Sequence, residues 1–453
     1  MRPMLPKTRS IRWPKWGLAS VLGLSWVLGM GCGGGIRMEI MRAAQQGRGS
    51  TALAHYKTLR KEEGDDEEVL AWVAEALLIE ESRVQEKTRR EAALRELLGA
   101  GARGKEVLRR ITQAPNPPLE AFVVLGGASD RDAMRFLRGL ADHPDLETRV
   151  ASVVGMSAQE DLAILLEWCD AFEPELRERA CAKLAGAAPD PEALRLLSER
   201  ARIDPMPGVR KACVRALGFF GKPAAGVLLD RLSDGDGSVR QAALEALMRA
   251  SEDDGREAVR SMLAIPIHHE GLEAAALLVR ASSKERASSD EDRASGMRHL
   301  LSALQHPDPS IRSHAAVLIS GLPDLKPYAR ALAQRLGEEK EPQVRLGLAR
   351  AVIRSGEEQM GRAALRRLLR EDHGMIGLQA AAMLAGLGEE RGIERLREAL
   401  EANDPSFRLV AAWALAREAM RPIEVWRALE DPEPLVRIRA AGGILAARAA
   451  RDG

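Results

Sequence analysis

Hydrophobic and polar positions recur together along this chain. In VRQAALEAL, residues 239–247, counting from the valine as position 0, the pattern is apolar at 0, Arg at 1, small at 4, apolar at 5, small at 7 and apolar at 8. The same order, usually small at 4, small or apolar at 5 and often small at 7, begins at Leu176, Val209, Ile311, Val344, Phe407 and Val436, and in weaker form at Thr148, Leu272 and Ile376. From Thr148 to Val436 nine intervals cover 288 positions, a mean period of 32 residues. A fixed period of that length marks a stack of like structural units.

Apolar residues at these spacings fall on one face of a helix. Most copies follow another apolar segment with spacings of 3 and 4, such as KPAAGVLLDRL (222–232) and RGIERLREAL (391–400). Turn-formers lie between the two, as in DGDGS, HPDPS, NDPS and DPEP. Asp and Ser oxygens accept the orphan N–H groups of a helix start, and Pro is tolerated there because no N–H is required. Each unit is therefore predicted to be two antiparallel helices. Small residues at positions 4, 5 and 7 let neighbouring units approach closely. A unit of this size cannot bury its own apolar faces, so stability must come from contacts between units.

The expected fold is all-α, an α/α superhelix of about 10 to 13 helical hairpins. Residues 148–453 form its regular part. Residues 51–147 are expected to be divergent helical repeats, with faint copies at Val69 and Leu119. The stretch SSKERASSDEDRASG, 282–296, reads as a polar loop, and a functional insertion there is the alternative. Composition agrees, since aromatic residues make up only 3% and a β-rich fold would need more of them.

A turn-former, then Val-Arg, then Ala-x-x-Ala-Leu at this period resembles the HEAT-like repeat in its short form, the class also found in phycobilisome lyases. The resemblance implies that the second helix of each hairpin lines a concave face. It also implies that Arg149, Arg177, Arg210, Arg240, Arg312, Arg345, Arg408 and Arg437 are structural, bonding within and between units. A charge recurring once per unit reads the same way, as a ladder and not as eight copies of a catalytic group.

Residues 1–31 have the order of a bacterial secretory signal, a basic MRPMLPKTRSIRWPKW followed by the apolar GLASVLGLSWVLGMG. That run of 15 residues spans about 22 Å as a helix, short of a hydrocarbon core of about 30 Å. Cys32, preceded by Gly31 and followed by three glycines, resembles the acylated cysteine of a lipoprotein signal. The resemblance implies a body tethered by lipid at the cell envelope and facing the periplasm, with 32–50 as a flexible tether. The competing reading takes Gly29 and Gly31 as an ordinary cleavage site and gives a soluble exported protein.

Beyond residue 31 the chain holds 62 basic against 66 acidic residues. A mildly acidic body lacks the field that draws phosphate backbones, so no nucleic-acid partner is expected, although a local basic patch stays open. No catalytic residue, metal site or cofactor is expected: none of the eight histidines makes HExxH, and His269-Glu270 is the one His-Glu pair. Cys181 and Cys213 lie in apolar helical patterns and read as small core residues, a disulfide between them being the alternative. Trp413 places a large ring at position 6, either as a binding anchor or folded over a neighbouring helix, and Trp426 reads as core. The function these features point to is a non-enzymatic scaffold with a protein partner. The alternative is a ligand-handling protein akin to the phycobilin lyases.

Overall fold

The computed structural model describes residues 34–281 and 287–452. Among the described residues are twenty-five α-helices joined by short turns, and no strand. The repeat pattern occupies second helices such as Pro207–Leu217, Gly237–Ala250 and Pro309–Ser320, each preceded by a first helix of its hairpin. Both faint upstream copies are helical too, in Glu67–Glu81 and Leu119–Gly127.

The turn-formers act where their chemistry suggests. The carboxylates of Asp236, Asp308 and Asp404 accept N–H groups at the starts of the helices Gly237–Ala250, Pro309–Ser320 and Pro405–Trp413. Such a cap stabilises a helix by about 1 kcal/mol. Small residues then set the spacing between units. Ala212, Ala242, Ala243 and Ala246 are buried between neighbouring second helices, and a Cβ on Gly218 would lie 3.0 Å from the Ala246 Cα. Second helices therefore touch one another broadly along the stack, whereas first helices of successive units touch only sparsely. The second helices follow the shorter circumference, and their solvent-open stripe faces inward.

The stack closes on itself. The last helix, Pro434–Asp452, packs against Glu67–Glu81 and Lys87–Gly99 as well as against its own predecessors. One apolar core runs across this seam, joining Leu70, Leu78 and Leu94 to Ile438, Ile444 and Leu445. Ion pairs lock it: Arg437 to Glu81 at 2.8 Å, Arg439 to Glu96 at 2.6 Å, and Arg451 to Glu67. Each unit thus contacts its neighbours and the last contacts the first, so the solenoid is a closed ring with an inner wall.

Three expectations are corrected. Residues 34–45 form a helix and not a flexible tether, because Ile40 and Ala43 are buried against the hairpin that follows. The expected polar loop at 282–296 is helical from Ala287, because Asp292 is buried and accepts from both Arg256 and Arg260. The tip, 282–286, lies outside the described residues, as do Cys32 and the whole of 1–31. Trp426 is half-buried, with the Arg60 guanidinium 4.5 Å over its ring, because it sits on a short 3-10 segment at the seam.

Candidate functional site

The recurring arginines occupy the joints between units. Arg210 donates through Nη1 to the carbonyl of Asp204 in its own turn, and through Nε and Nη2 to the carboxylate of Asp234 in the next unit, at 2.9 and 2.8 Å. Arg177 to Asp204, Arg312 to Glu339 and Arg408 to Asp431 repeat the fork, and each of these arginines also donates to carbonyls in its own turn. The acceptor acid lies five residues before position 0 of its own unit, where a carboxylate oxygen also accepts the N–H two residues on, as Asp234 does from Asp236. Arg240 forks onto Glu270, Arg345 donates to Glu371 at 2.8 Å, and Arg149 reaches Glu173 at 3.4 Å. Arg437 does the same across the seam with Glu81, which stands where a next unit's acid would. Bidentate charge-assisted bonds of this kind fix geometry as well as adding stability. The Arg210 hydrogen bond holds the Asp234 carboxyl below the usual carboxylate range. In Arg177, Arg210, Arg312 and Arg408 Nε, Nη1 and Nη2 are all engaged within the stack, as a structural role requires.

The inner wall is different. Arg215, Arg249, Arg280, Arg350 and Arg417 are exposed on the second helices, and none makes an ion pair among the described residues. Glu245, Glu273 and Glu418 on the same wall leave it positive, in a body whose net charge is negative. Apolar side chains are interleaved: Phe219 is 55% exposed beneath the Arg249 guanidinium at 4.6 Å, and Val317 is 53% exposed. Trp413 belongs to this row. Its ring packs against the core but stays half-exposed, with Arg417 at 5.8 Å over it, just before the helix widens into a π turn at Ala414–Glu418. The signal for this row was the exposed turn-to-turn spacing of position 6, which names Arg215, Arg350 and Trp413 but not their lack of partners.

One polar chain also forms at the surface. Ser310 Oγ lies 3.2 Å from His269 Nε2, His269 Nδ1 lies 2.9 Å from His314 Nδ1, and His314 Nε2 lies 2.7 Å from Glu273 Oε1, beside a cavity of about 430 Å³. Such a chain could pass a proton. It is open to water, however, and the Ser310 N–H is taken by Asp308 at 2.8 Å. Sequence spacing gave no hint of it, since His269 and His314 are 45 residues apart.

Deeper in the stack, Cys169 and Cys181 form a disulfide with their Cα atoms 5.2 Å apart, and Cys213 is a free buried thiol. Cys181 is thus bonded within its own hairpin and not to Cys213. Its partner lies at the end of the first helix, which the repeat pattern of the second helices does not describe.

An all-helical ring of stacked hairpins, with its cations paired at the joints and unpaired on the inner wall, is a repeat protein of the solenoid class. Residues 162–248 and 329–416 match the family model of HEAT repeats, one stretch in each half of the ring. No curated protein matches the chain. Among solved structures, a mutant of Kap121p is similar at 12% identity and a TM-score of 0.35, over 89% of this chain and 62% of that one. UNC-45 from Drosophila melanogaster is similar at 14% identity and a TM-score of 0.36, over 90% of this chain and 76% of that one. Importin beta is similar at 13% identity and a TM-score of 0.36, over 86% and 60%. This chain therefore spans less than two thirds of the length of two of the three.

Proposed function

We propose that the protein is a non-enzymatic scaffold that holds an acidic segment of another protein against the inner wall of its ring. The observation that carries this reading is the row of unpaired arginines on that wall, interleaved with Phe219, Val317 and Trp413. Exposed guanidiniums attract carboxylates, and aromatic and apolar neighbours supply the anchors that a binding surface needs. The apolar interleaving and the three wall acids suit a polypeptide better than a uniformly charged phosphate backbone. Export and lipid attachment at Cys32 are part of the same proposal, supported by the basic-then-apolar order of residues 1–31. They would place the ring at the cell envelope.

A photocrosslinking residue at Val317, on the inner wall, and another at Arg195, on an outer helix, test the surface in cells. The expected result is a protein adduct from position 317 that fades when Arg215 and Arg350 are both changed to Glu, and no comparable adduct from 195. Equal adducts from both positions, or a nucleic-acid adduct from 317, would overturn the reading. Labelling with an acyl-chain analogue tests the anchor: incorporation that persists in Cys32→Ala refutes it.

A further inference from the structure

The three body cysteines come from three helices in two units, yet they meet. Cys169 ends Leu162–Cys169, Cys181 lies in Pro174–Lys183, and Cys213 lies in the neighbouring unit's Pro207–Leu217. Their sulfurs lie within 4.8 Å of one another, and all three side chains are fully buried. We propose that, once the Cys169–Cys181 disulfide is reduced, this trio is a three-thiolate binding site for a single monovalent copper ion.

Packing alone does not call for a cysteine at 213. It occupies position 4 of the repeat, where five of the six other clear copies place alanine (Ala180, Ala243, Ala315, Ala411 and Ala440) and the sixth places Leu348. What the sulfur adds is donor chemistry. Three sulfurs bound to one ion at about 2.3 Å each stand about 4 Å apart in a trigonal plane, a spacing this cluster reaches by side-chain rotation. Soft thiolates select copper(I) and zinc, but a structural zinc site takes four ligands. The buried carboxylate that acts on Cys213, Asp204, has both oxygens committed to Arg177, at 2.8 and 3.1 Å. No fourth side-chain donor joins the cluster among the described residues, which favours the ion content with three.

The steps balance with an external dithiol as reductant. It gives two electrons and two protons to the Cys169–Cys181 bond, closes to its own disulfide, and leaves three thiols. Copper(I) then forms three Cu–S bonds and displaces three protons. Because the thiols must lose their protons to bind the ion, affinity falls as pH falls. The bound ion would tie both helices of one hairpin to the next unit, and an external disulfide that takes two electrons from the Cys169 and Cys181 thiolates, re-forming their bond and leaving as a dithiol, would release it.

The test uses the chain with Cys32→Ala, which leaves these three as its only cysteines, reduced under argon and titrated with copper(I) against a chromogenic copper(I) chelator. One ion per chain is expected, with copper K-edge absorption showing three sulfurs. Cys213→Ala, which restores the residue found in other units, should lose affinity by roughly a hundredfold or more while melting like the parent. The oxidised chain should retain no copper. Failure of the reduced chain to compete with the chelator, unchanged affinity in Cys213→Ala, or displacement of copper by equimolar zinc would each overturn the proposal.

Discussion

The joint between Arg210 and Asp234 and the joint between Arg437 and Glu81 use the same Nε and Nη2 donors, spread over both oxygens of Asp234 and converging on one oxygen of Glu81, but their partners are 24 and 356 residues apart. The first is local: a unit and its neighbour fold against each other with little chain between them. The second forms only when the whole intervening stack has the right curvature. The difference teaches that the ladder by itself makes a solenoid of any length, and that closure rests on what the last helix buries. Around Arg210 the small residues of each unit fit the next. At the seam, helix Pro434–Asp452 instead buries Val436, Ile438, Ile444 and Leu445 between the N-terminal hairpins and its own predecessors.

Removing that helix is the strongest way to break the comparison. Full burial of four branched side chains is worth about 6–12 kcal/mol by area, and part of that is lost from each side of the seam. A chain ending at Asp431 should open, which small-angle scattering would record as a larger radius of gyration. It should also melt in more than one step, because a linear repeat array loses the constraint that joins its ends. An unchanged radius would mean that the seam does not hold the ring closed.

Inside the stack, the largest single-residue effect is expected at Asp204. Its carboxylate is fully buried against Arg177, itself 9% exposed. Asp204→Ala strands that guanidinium and should cost about 3–5 kcal/mol, the usual penalty for breaking a buried pair. Urea unfolding followed by circular dichroism measures it, and a loss below about 1 kcal/mol would show the joint to be dispensable. At the seam the matching change, Arg437→Ala, removes a side chain 21% exposed whose partner Glu81 keeps Arg89 at 2.6 Å. A smaller loss is expected, about 1–2 kcal/mol, with the radius unchanged because the apolar contact remains.

This asymmetry also explains what the sequence disclosed. The Arg-bearing second helices, their period and their turn chemistry were legible because local spacing dictates them. Helix 34–45 and the helical part of 282–296 were not, since both exist through tertiary partners: burial of Ile40 in the one, Arg256 and Arg260 around Asp292 in the other. Ring closure was invisible for the same reason. Glu81 lies in a faint copy, and nothing near it in the chain announces Arg437. The cysteine cluster and the unpaired arginines were only half legible. Position in the repeat placed Cys181, Cys213, Arg215 and Arg350, but which side chains they meet or fail to meet is a property of the assembled stack.

The smallest expected effect sharpens the comparison by pH. Arg210, by its hydrogen bond, lowers the Asp234 carboxyl. Burial pushes Asp431 up, but the Arg408 fork, the Glu433 N–H and the nearby charges outweigh it, so its carboxyl also ends below the usual range. A carboxyl lowered in the folded state binds fewer protons than it does unfolded. It therefore stabilises the fold fully above the ordinary carboxylate range near pH 4, and that contribution fades as pH falls through the folded value. The stack should thus hold level stability from about pH 7 to pH 5 and weaken steadily below about pH 4. Arg210→Ala should be less stable at pH 7 and show a shallower acid slope than the parent, because its Asp234, left with the Asp236 N–H and Arg231, titrates less differently on unfolding. Chemical denaturation at a series of pH values reads both quantities. A parental slope in the variant would show that the ladder carboxylates do not carry the acid response of the ring.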